Sequence, residues 1–164
     1  MKSPIFSIVL AVICITSLGW ADEDSKKFSD IEYGDEYSDE ELNLLNLTNI
    51  ERVRRGFKPV VMNIFLTKVA RAQSADMARH NQLSHTVKGK HLALRLNQSG
   101  YNYRHIGENI AKSKADLPHV VTMWMKSPNH RKNLLKPQFK EVGFGITKSK
   151  DGYRYFTQVF GAQR

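Results

Sequence analysis

The only cysteine of the chain, Cys14, lies inside an apolar segment near the N-terminus. The sequence from Ile5 to Leu18 is almost unbroken apolar, and Gly19-Trp20-Ala21 then places small residues at positions −3 and −1 of a cut after residue 21. This is the pattern of a secretory signal peptide, and the apolar run is shorter than the roughly 20 residues that a spanning helix needs. We therefore predict a signal peptide over residues 1–21, with an uncleaved membrane anchor as the alternative.

Cleavage at that point removes Cys14 and leaves a chain without any cysteine. Such a chain can form no disulfide, and thiol catalysis and cysteine-based zinc sites are excluded. Its fold must be stabilised by a hydrophobic core, for which about 120 residues are sufficient. We expect a secreted, extracellular monomer that has no transmembrane segment after cleavage.

Charge divides the remaining sequence into two parts. Residues 22–41 contain ten Asp and Glu and two Lys, whereas residues 42–164 contain 22 Lys and Arg and six Asp and Glu, a net charge of +16. We predict an acidic disordered tail over 22–41 and a basic domain over 42–164. The tail either aids solubility only or folds back and masks a basic surface.

The basic surplus spreads from Arg52 to Arg164 without one concentrated run. No nucleic-acid-binding motif accompanies it, so specific nucleic-acid recognition is not expected. A solvated cationic surface is one interpretation, and contact with an anionic glycan or membrane surface is the other.

Helix start signals precede strand patterns along the domain. Ser38 and Glu41 form a capping box, Asn63 is a predicted N-cap, and Asp116 stands before a helix with proline in its first turn. Beyond Pro137, two strand patterns flank the hairpin turn signal Lys150-Asp151-Gly152. Helices followed by strands predict the α+β class.

Six short motifs stand in a fixed order along the same region. They are Asn49-Ile50-Glu51-Arg52, Leu83-Ser84-His85, Gly107-Glu108-Asn109-Ile110, Trp124 to Leu135, Val142-Gly143-Phe144-Gly145, and Tyr155 to Phe160. Their order and spacing resemble the CAP superfamily, which comprises the cysteine-rich secretory, antigen 5 and pathogenesis-related 1 proteins and their bacterial SCP-domain relatives. The resemblance extends over roughly 42–163, and the absence of cysteine is similar to the bacterial type.

The resemblance implies a three-layer α-β-α sandwich with a small, mostly antiparallel sheet. It also implies a cleft in which two histidines and two glutamates meet in animal and plant members. His85 and Glu108 match one histidine and one glutamate, whereas Ser127 and Tyr155 stand at the other two positions. In the bacterial type, His130 is implied to stand near the cleft instead.

Three interpretations of His85, Glu108 and His130 remain open from the residues alone. The trio could form hydrogen bonds that fix the cleft, it could hold a divalent metal such as Zn²⁺, or it could act in catalysis. No nucleophile with a positioned base is identifiable, so no catalytic residue is assigned and no cofactor is required. His80, His91, His105 and His119 show no zinc-motif spacing and are predicted to be surface histidines.

The resemblance implies non-enzymatic extracellular binding of a lipid, either a sterol or a fatty acid, or of an anionic surface. The alternatives are a metal-assisted, peptidase-like hydrolase and a secreted defence or interaction module. Trp124 and Phe139 are predicted to lie in the core, with a lipid groove as the alternative. Asn97 and Asn46 begin N-glycosylation sequons, which matter only in a eukaryotic host.

Overall fold

The computed structural model describes residues 36–164. The predicted signal peptide and residues 22–35 of the predicted acidic tail lie outside the described residues. The described part contains five α-helices, one short 3₁₀ helix (Val87–Gly89) and four strands. In chain order the α-helices and strands are α1 (Asp39–Val53), β1 (Val61–Met62), α2 (Ile64–His80), α3 (Leu92–Ser99), β2 (Tyr103–Ser113), α4 (Leu117–Lys126), α5 (Pro128–Leu134), β3 (Glu141–Lys148) and β4 (Arg154–Gln163).

The predicted helix starts are confirmed. The Ser38 hydroxyl accepts from the Glu41 amide at 3.3 Å, and the Glu41 carboxylate accepts from the Ser38 amide at 2.9 Å, which completes the capping box of α1. Asn63 caps α2 and Asp116 caps α4 through their side-chain oxygens. These contacts satisfy amides that a helix leaves without partners in its first turn.

The predicted end of the acidic tail at residue 41 is wrong. Residues 39–41 form the first turn of α1, and Glu41 is buried with its carboxylate 2.6 Å from the Arg71 guanidinium. The acidic composition of this stretch does not indicate disorder here, because acidic side chains stabilise the first turn of a helix.

The strands form one mixed sheet in the order β1-β3-β4-β2. Strand β1 runs parallel to β3, and the β3–β4 and β4–β2 pairs are antiparallel. Helices α1, α4 and α5 cover one face, and α2 and α3 cover the other. This arrangement confirms the predicted α+β class and the three-layer sandwich with a mostly antiparallel sheet.

Each face of the sheet has its own hydrophobic core, as the alternation of side chains along a strand requires. Phe156 and Phe160 of β4 point toward α1 and α4, whereas Tyr155 and Val159 point toward α2. Trp124 and Phe139 are buried, and the Phe139 and Phe160 rings stack with centroids 5.1 Å apart. The prediction that these aromatic side chains form the core is confirmed.

Two glycines of β3 allow α2 to approach the sheet closely. A Cβ atom at Gly143 would lie 2.1 Å from the Thr67 amide nitrogen, and one at Gly145 would lie 2.3 Å from the Ala70 carbonyl carbon. Real Cβ atoms do not approach backbone atoms this closely, so α2 can rest on β3 only where glycine leaves the space. Within residues 36–164, no helix is both long and apolar enough to span a bilayer.

Candidate functional site

Strand β2 carries Glu108 and forms one edge of the sheet. The sequence did not predict this strand, since polar and charged residues interrupt its alternation of apolar side chains. Its pairing with β4 places Glu108 opposite Val159, on the face that α2 and α3 cover. The Glu108 side chain is only 3% exposed.

His85 and Glu108 meet as the resemblance implied. The His85 Nδ1 atom lies 2.8 Å from the Glu108 Oε1 atom, and the His85 side chain is 53% exposed. A buried carboxylate therefore holds an imidazole whose other face is open to solvent. This contact fixes the ring orientation and favours a proton on Nδ1.

Arg95 of α3 completes the cluster and was not identified from the sequence. Its Nη2 atom lies 2.8 Å from Glu108 Oε2 and 3.3 Å from the His85 carbonyl oxygen, and its Nε atom donates to the Lys90 carbonyl oxygen at 3.3 Å. Arg95 thus neutralises Glu108 and holds the loop that carries His85. Its position, ten residues after that histidine and on a helix, offers no recognisable motif.

His130 of α5 lies close enough to His85 for the two side chains to interact electrostatically. Burial lowers the pKa of His130, and the positive charge of protonated His85 lowers it further. Its imidazole is therefore held in the neutral form over a wider pH range than that of a free histidine.

An amide network ties α5 to the sheet beside this histidine. The Asn109 side chain donates to the His130 carbonyl oxygen at 3.1 Å and to the Gln158 side chain at 2.9 Å. The Asn133 side chain donates to the Glu108 carbonyl oxygen at 3.1 Å, and Gln158 donates to the Thr48 hydroxyl at 2.9 Å. The Gly-Glu-Asn-Ile motif thus positions α5, because side-chain amides form hydrogen bonds in both directions between β2 and α5.

The trio does not fit a three-ligand metal site. Both Glu108 oxygens are occupied, one by His85 and the other by Arg95. A carboxylate paired with a guanidinium is a poor ligand for a cation, because the Arg charge repels the ion. Within residues 36–164, no three His, Cys, Asp or Glu side chains are grouped so that they could hold a metal.

A tyrosine and a serine occupy the other two positions of the four-residue cleft. Tyr155 is fully buried, and its hydroxyl donates to the Asn81 side chain at 2.6 Å. Ser127 is half-buried at the junction of α4 and α5, and its side chain makes no capping bond. The structure therefore brings together His85 and Glu108, adds Arg95, and places His130 nearby.

The other singled-out histidines and asparagines lie elsewhere. His80, His91 and His119 are exposed, as predicted for surface histidines, and His105 is half-buried on β2. The sequon residues are also exposed and helical, Asn46 in α1 and Asn97 in the last turn of α3.

Two open grooves lie among basic side chains. The first groove, about 580 Å³, lies where the C-terminal end of α1 meets α4 and α5, and the second, about 410 Å³, lies beside the ends of β2 and β4. The first is lined by Glu51, Arg55, Thr122, Met125, Lys126, Arg131 and Leu135. The second is lined by Arg104, His105, Pro137, Gln138, Lys140, Ala162 and Gln163.

Comparison with known proteins identifies the family to which this fold belongs. The family model of the CAP (cysteine-rich secretory protein) family matches residues 45–160, so the chain belongs to the CAP family. This confirms the resemblance drawn from the motifs. The uncharacterized protein YkwD of Bacillus subtilis is 39% identical over 110 residues, which are 66% of this chain and 43% of that protein. The chain therefore spans less than half the length of this relative.

Solved structures agree with the family assignment. An extracellular protein of Bacillus anthracis that contains an SCP domain is 31% identical with a TM-score of 0.68, and the match covers 76% of this chain and 40% of that one. An outer surface protein of Borrelia burgdorferi shares the fold with a TM-score of 0.69 at 19% identity, covering 88% of this chain and 96% of that one.

Proposed function

We propose that this protein is an exported, non-enzymatic CAP-domain protein that binds an anionic ligand outside the cell. The observation that carries the proposal is the charge of the domain. Residues 42–164 have 22 Lys and Arg against six Asp and Glu, and cationic side chains line both grooves. A surface of this kind attracts anionic partners over distances of about a Debye length, roughly 8 Å at physiological salt.

Export is supported by two independent features. Residues 1–21 have the pattern of a signal peptide, and the SCP-domain protein of Bacillus anthracis to which the chain is similar is described as extracellular. The absence of cysteine after residue 21 is compatible with an oxidising compartment, because no thiol is present to react there.

A binding role is supported over hydrolysis by the chemistry of the cleft. Each Glu108 oxygen already has a partner, His85 on one and Arg95 on the other, and the side chain is only 3% exposed, so water and metal ions have little access to it. The hydroxyl of Ser84, the serine adjacent to His85, contacts the Thr86 hydroxyl at 3.4 Å instead of an imidazole. A nucleophile requires a base within hydrogen-bond reach, and this serine has none.

An anionic ligand is supported over a sterol by the lining of the first groove. Four of its seven lining residues are charged, and only Met125 and Leu135 are large and apolar. Sites for apolar ligands are lined predominantly by hydrophobic and aromatic side chains. A fatty acid combines a carboxylate with an apolar tail and remains the lipid alternative to be tested.

Chromatography on immobilised heparin tests the proposal directly. The protein without residues 1–21 is expected to be retained at low salt and released as salt is raised, whereas neutral dextran should not retain it. Passage through heparin without retention at low salt would contradict an anionic ligand.

A census of bound molecules in the same preparation separates the alternatives. Mass spectrometry of an organic extract is expected to show no lipid near one per chain, and metal analysis is expected to show no stoichiometric metal. A sterol or fatty acid at one per chain would make the protein a lipid carrier. Stoichiometric zinc that is lost in the His85→Ala/His130→Ala variant would favour the hydrolase.

A further inference from the structure

The basic residues are not spread evenly once acidic residues are taken into account. The 24 residues from Leu117 to Lys140 contain no Asp or Glu. They contain five Lys and Arg, all within the last 15 positions: Lys126, Arg131, Lys132, Lys136 and Lys140. No acidic side chain of this segment can therefore offset its positive potential.

This segment connects the two grooves. Arg131 and Leu135 line the first groove, whereas Pro137 and Lys140 line the second. Since consecutive Cα atoms are about 3.8 Å apart, Leu135 and Pro137 can be separated by no more than roughly 7.6 Å. The grooves are therefore neighbours along one continuous stretch of chain. We call the cations of this stretch, with Arg104 added from the second groove, the basic track (Lys126, Arg131, Lys132, Lys136, Lys140 and Arg104).

A buried arginine of α1 fixes the backbone of the track. The Arg52 guanidinium donates to the carbonyl oxygens of Leu134 at 2.7 Å, Lys136 at 3.2 Å and Phe139 at 3.4 Å. Burial lowers the pKa of Arg52 to about 10, so it keeps its charge at neutral pH. A backbone that is held in this way loses little conformational entropy when a ligand binds.

Most cations of the track have no competing partner. Within the described part of the chain, no hydrogen bond or ion pair involves the side chains of Lys126, Arg131, Lys132, Lys140 or Arg104. Lys136 lies over the Phe139 ring, 4.9 Å from its centroid, and still offers its ammonium hydrogens. These groups are available to an anion without the loss of an existing ion pair.

We propose that one linear anionic polysaccharide chain lies along the basic track and occupies both grooves. The proposal rests on the proposed function and names its ligand class. Two neighbouring grooves, with further cations on the segment between them, can bind the repeated negative charges of one polymer chain at the same time. One small anion cannot contact both grooves. Arginine forks in both grooves suit sulfate or carboxylate groups.

The distribution of exposed apolar side chains favours a polysaccharide over a membrane. Seven large hydrophobic side chains are exposed in residues 36–164. One of them, Met123, falls within 117–140, and Ile50 and Val53 flank Glu51 in sequence, but none follows Met123 up to Lys140. A protein face that inserts into a bilayer interface presents exposed apolar side chains among its cations. The cations from Lys126 to Lys140 have no exposed large apolar side chain among them.

Titration calorimetry with size-fractionated heparin oligosaccharides tests the proposal on the chain without residues 1–21. Affinity is expected to rise with oligosaccharide length until one chain spans both grooves, and then to level off. The Lys126→Glu/Arg131→Glu and Arg104→Glu/Lys140→Glu variants are each expected to weaken binding of the longest oligosaccharide by about tenfold or more, because each reverses two contacts.

The matched control is Lys148→Glu/Lys150→Glu, which makes the same charge change at exposed residues of the β3–β4 hairpin. Lys148 lies seven residues along β3 from Glu141, roughly 23 Å from the end next to the track at about 3.3 Å per residue. This control is expected to change affinity by less than about threefold, because only the general field is altered.

Three other outcomes would contradict binding along the basic track. An equal loss in all three variants would overturn the track, while the proposed anionic ligand would stand. Binding of the wild-type protein to phosphatidylglycerol vesicles but to no oligosaccharide would also overturn the track and indicate a membrane. Absence of binding to both probes at low salt would overturn the proposed function together with the track.

Discussion

Arg95 and Glu108 form a buried ion pair, with Nη2 and Oε2 2.8 Å apart and both side chains less than 10% exposed. Glu108→Gln is expected to cost about 3–5 kcal/mol of unfolding free energy, because it leaves a buried guanidinium without its counter-charge. Urea denaturation measures this loss. The Glu108→Gln/Arg95→Met variant is expected to lose less than the single variant, and a double variant that loses more would contradict the pairing.

Arg52 should be the most costly side chain of α1 to replace. Arg52→Met removes the guanidinium donors to the Lys58, Leu134, Lys136 and Phe139 carbonyl oxygens. Of these four oxygens, that of Lys136 keeps a second donor, the Phe139 amide at 3.3 Å. We expect a loss of roughly 3 kcal/mol or more in urea denaturation. The control Arg55→Met removes an exposed pair with Glu51 and should cost less than about 1 kcal/mol. Equal losses would show that the buried contacts are unimportant.

The close approach of α2 to the sheet makes Gly143 intolerant of any side chain. Gly143→Ala is expected to lower the free energy of unfolding by about 3 kcal/mol or to prevent folding. The added Cβ atom would clash with backbone atoms of α2, which cannot rotate away as the end of a side chain can. At Gly107 the added Cβ atom would lie 2.7 Å from the Phe139 Cζ atom, which belongs to a side chain. Gly107→Ala should therefore cost less. Soluble yield and thermal unfolding compare the two variants, and the reverse order would contradict the packing.

The lowered pKa of His130 predicts a pH dependence of stability. The unfolded chain binds a proton at this histidine near its ordinary pKa of 6.5, whereas the folded chain binds it only at lower pH. Stability should therefore fall as pH drops below about 6.5 and should not change for this reason above pH 7. Urea denaturation at pH 7.5 and 5.5 measures the difference, which the His130→Gln variant should reduce. A variant with the same pH dependence as the wild type would assign the effect to other groups.

The helix ends were predictable because their signals are local. Ser38, Asn63 and Asp116 cap helices through atoms two or three residues away, so the sequence alone contains the information. Strand β2 was not predicted because an edge strand between two helical layers tolerates charged residues such as Arg104 and Lys112. These charges interrupt the alternation of apolar and polar residues by which a strand is predicted.

The site was only partly predictable for a related reason. The family motifs named His85 and Glu108 as cleft residues, and in the structure these two side chains lie 2.8 Å apart. Arg95 and Arg52 act on residues that are distant in sequence or on main-chain oxygens, and such contacts leave no motif. The absence of acidic residues from 117–140 was visible in the sequence, but its meaning depends on the grooves that the segment joins.

Glu41 links the beginning of α1 to the middle of α2, because its carboxylate both closes the capping box and pairs with Arg71. The Arg71 guanidinium also donates to the Glu36 carbonyl oxygen at 2.9 Å. This fixes where the chain can be shortened. An expression fragment that starts at Glu36 retains the first turn intact, whereas one that starts at residue 42, where the charge pattern changes sign, would lose the cap and leave Arg71 without its carboxylate.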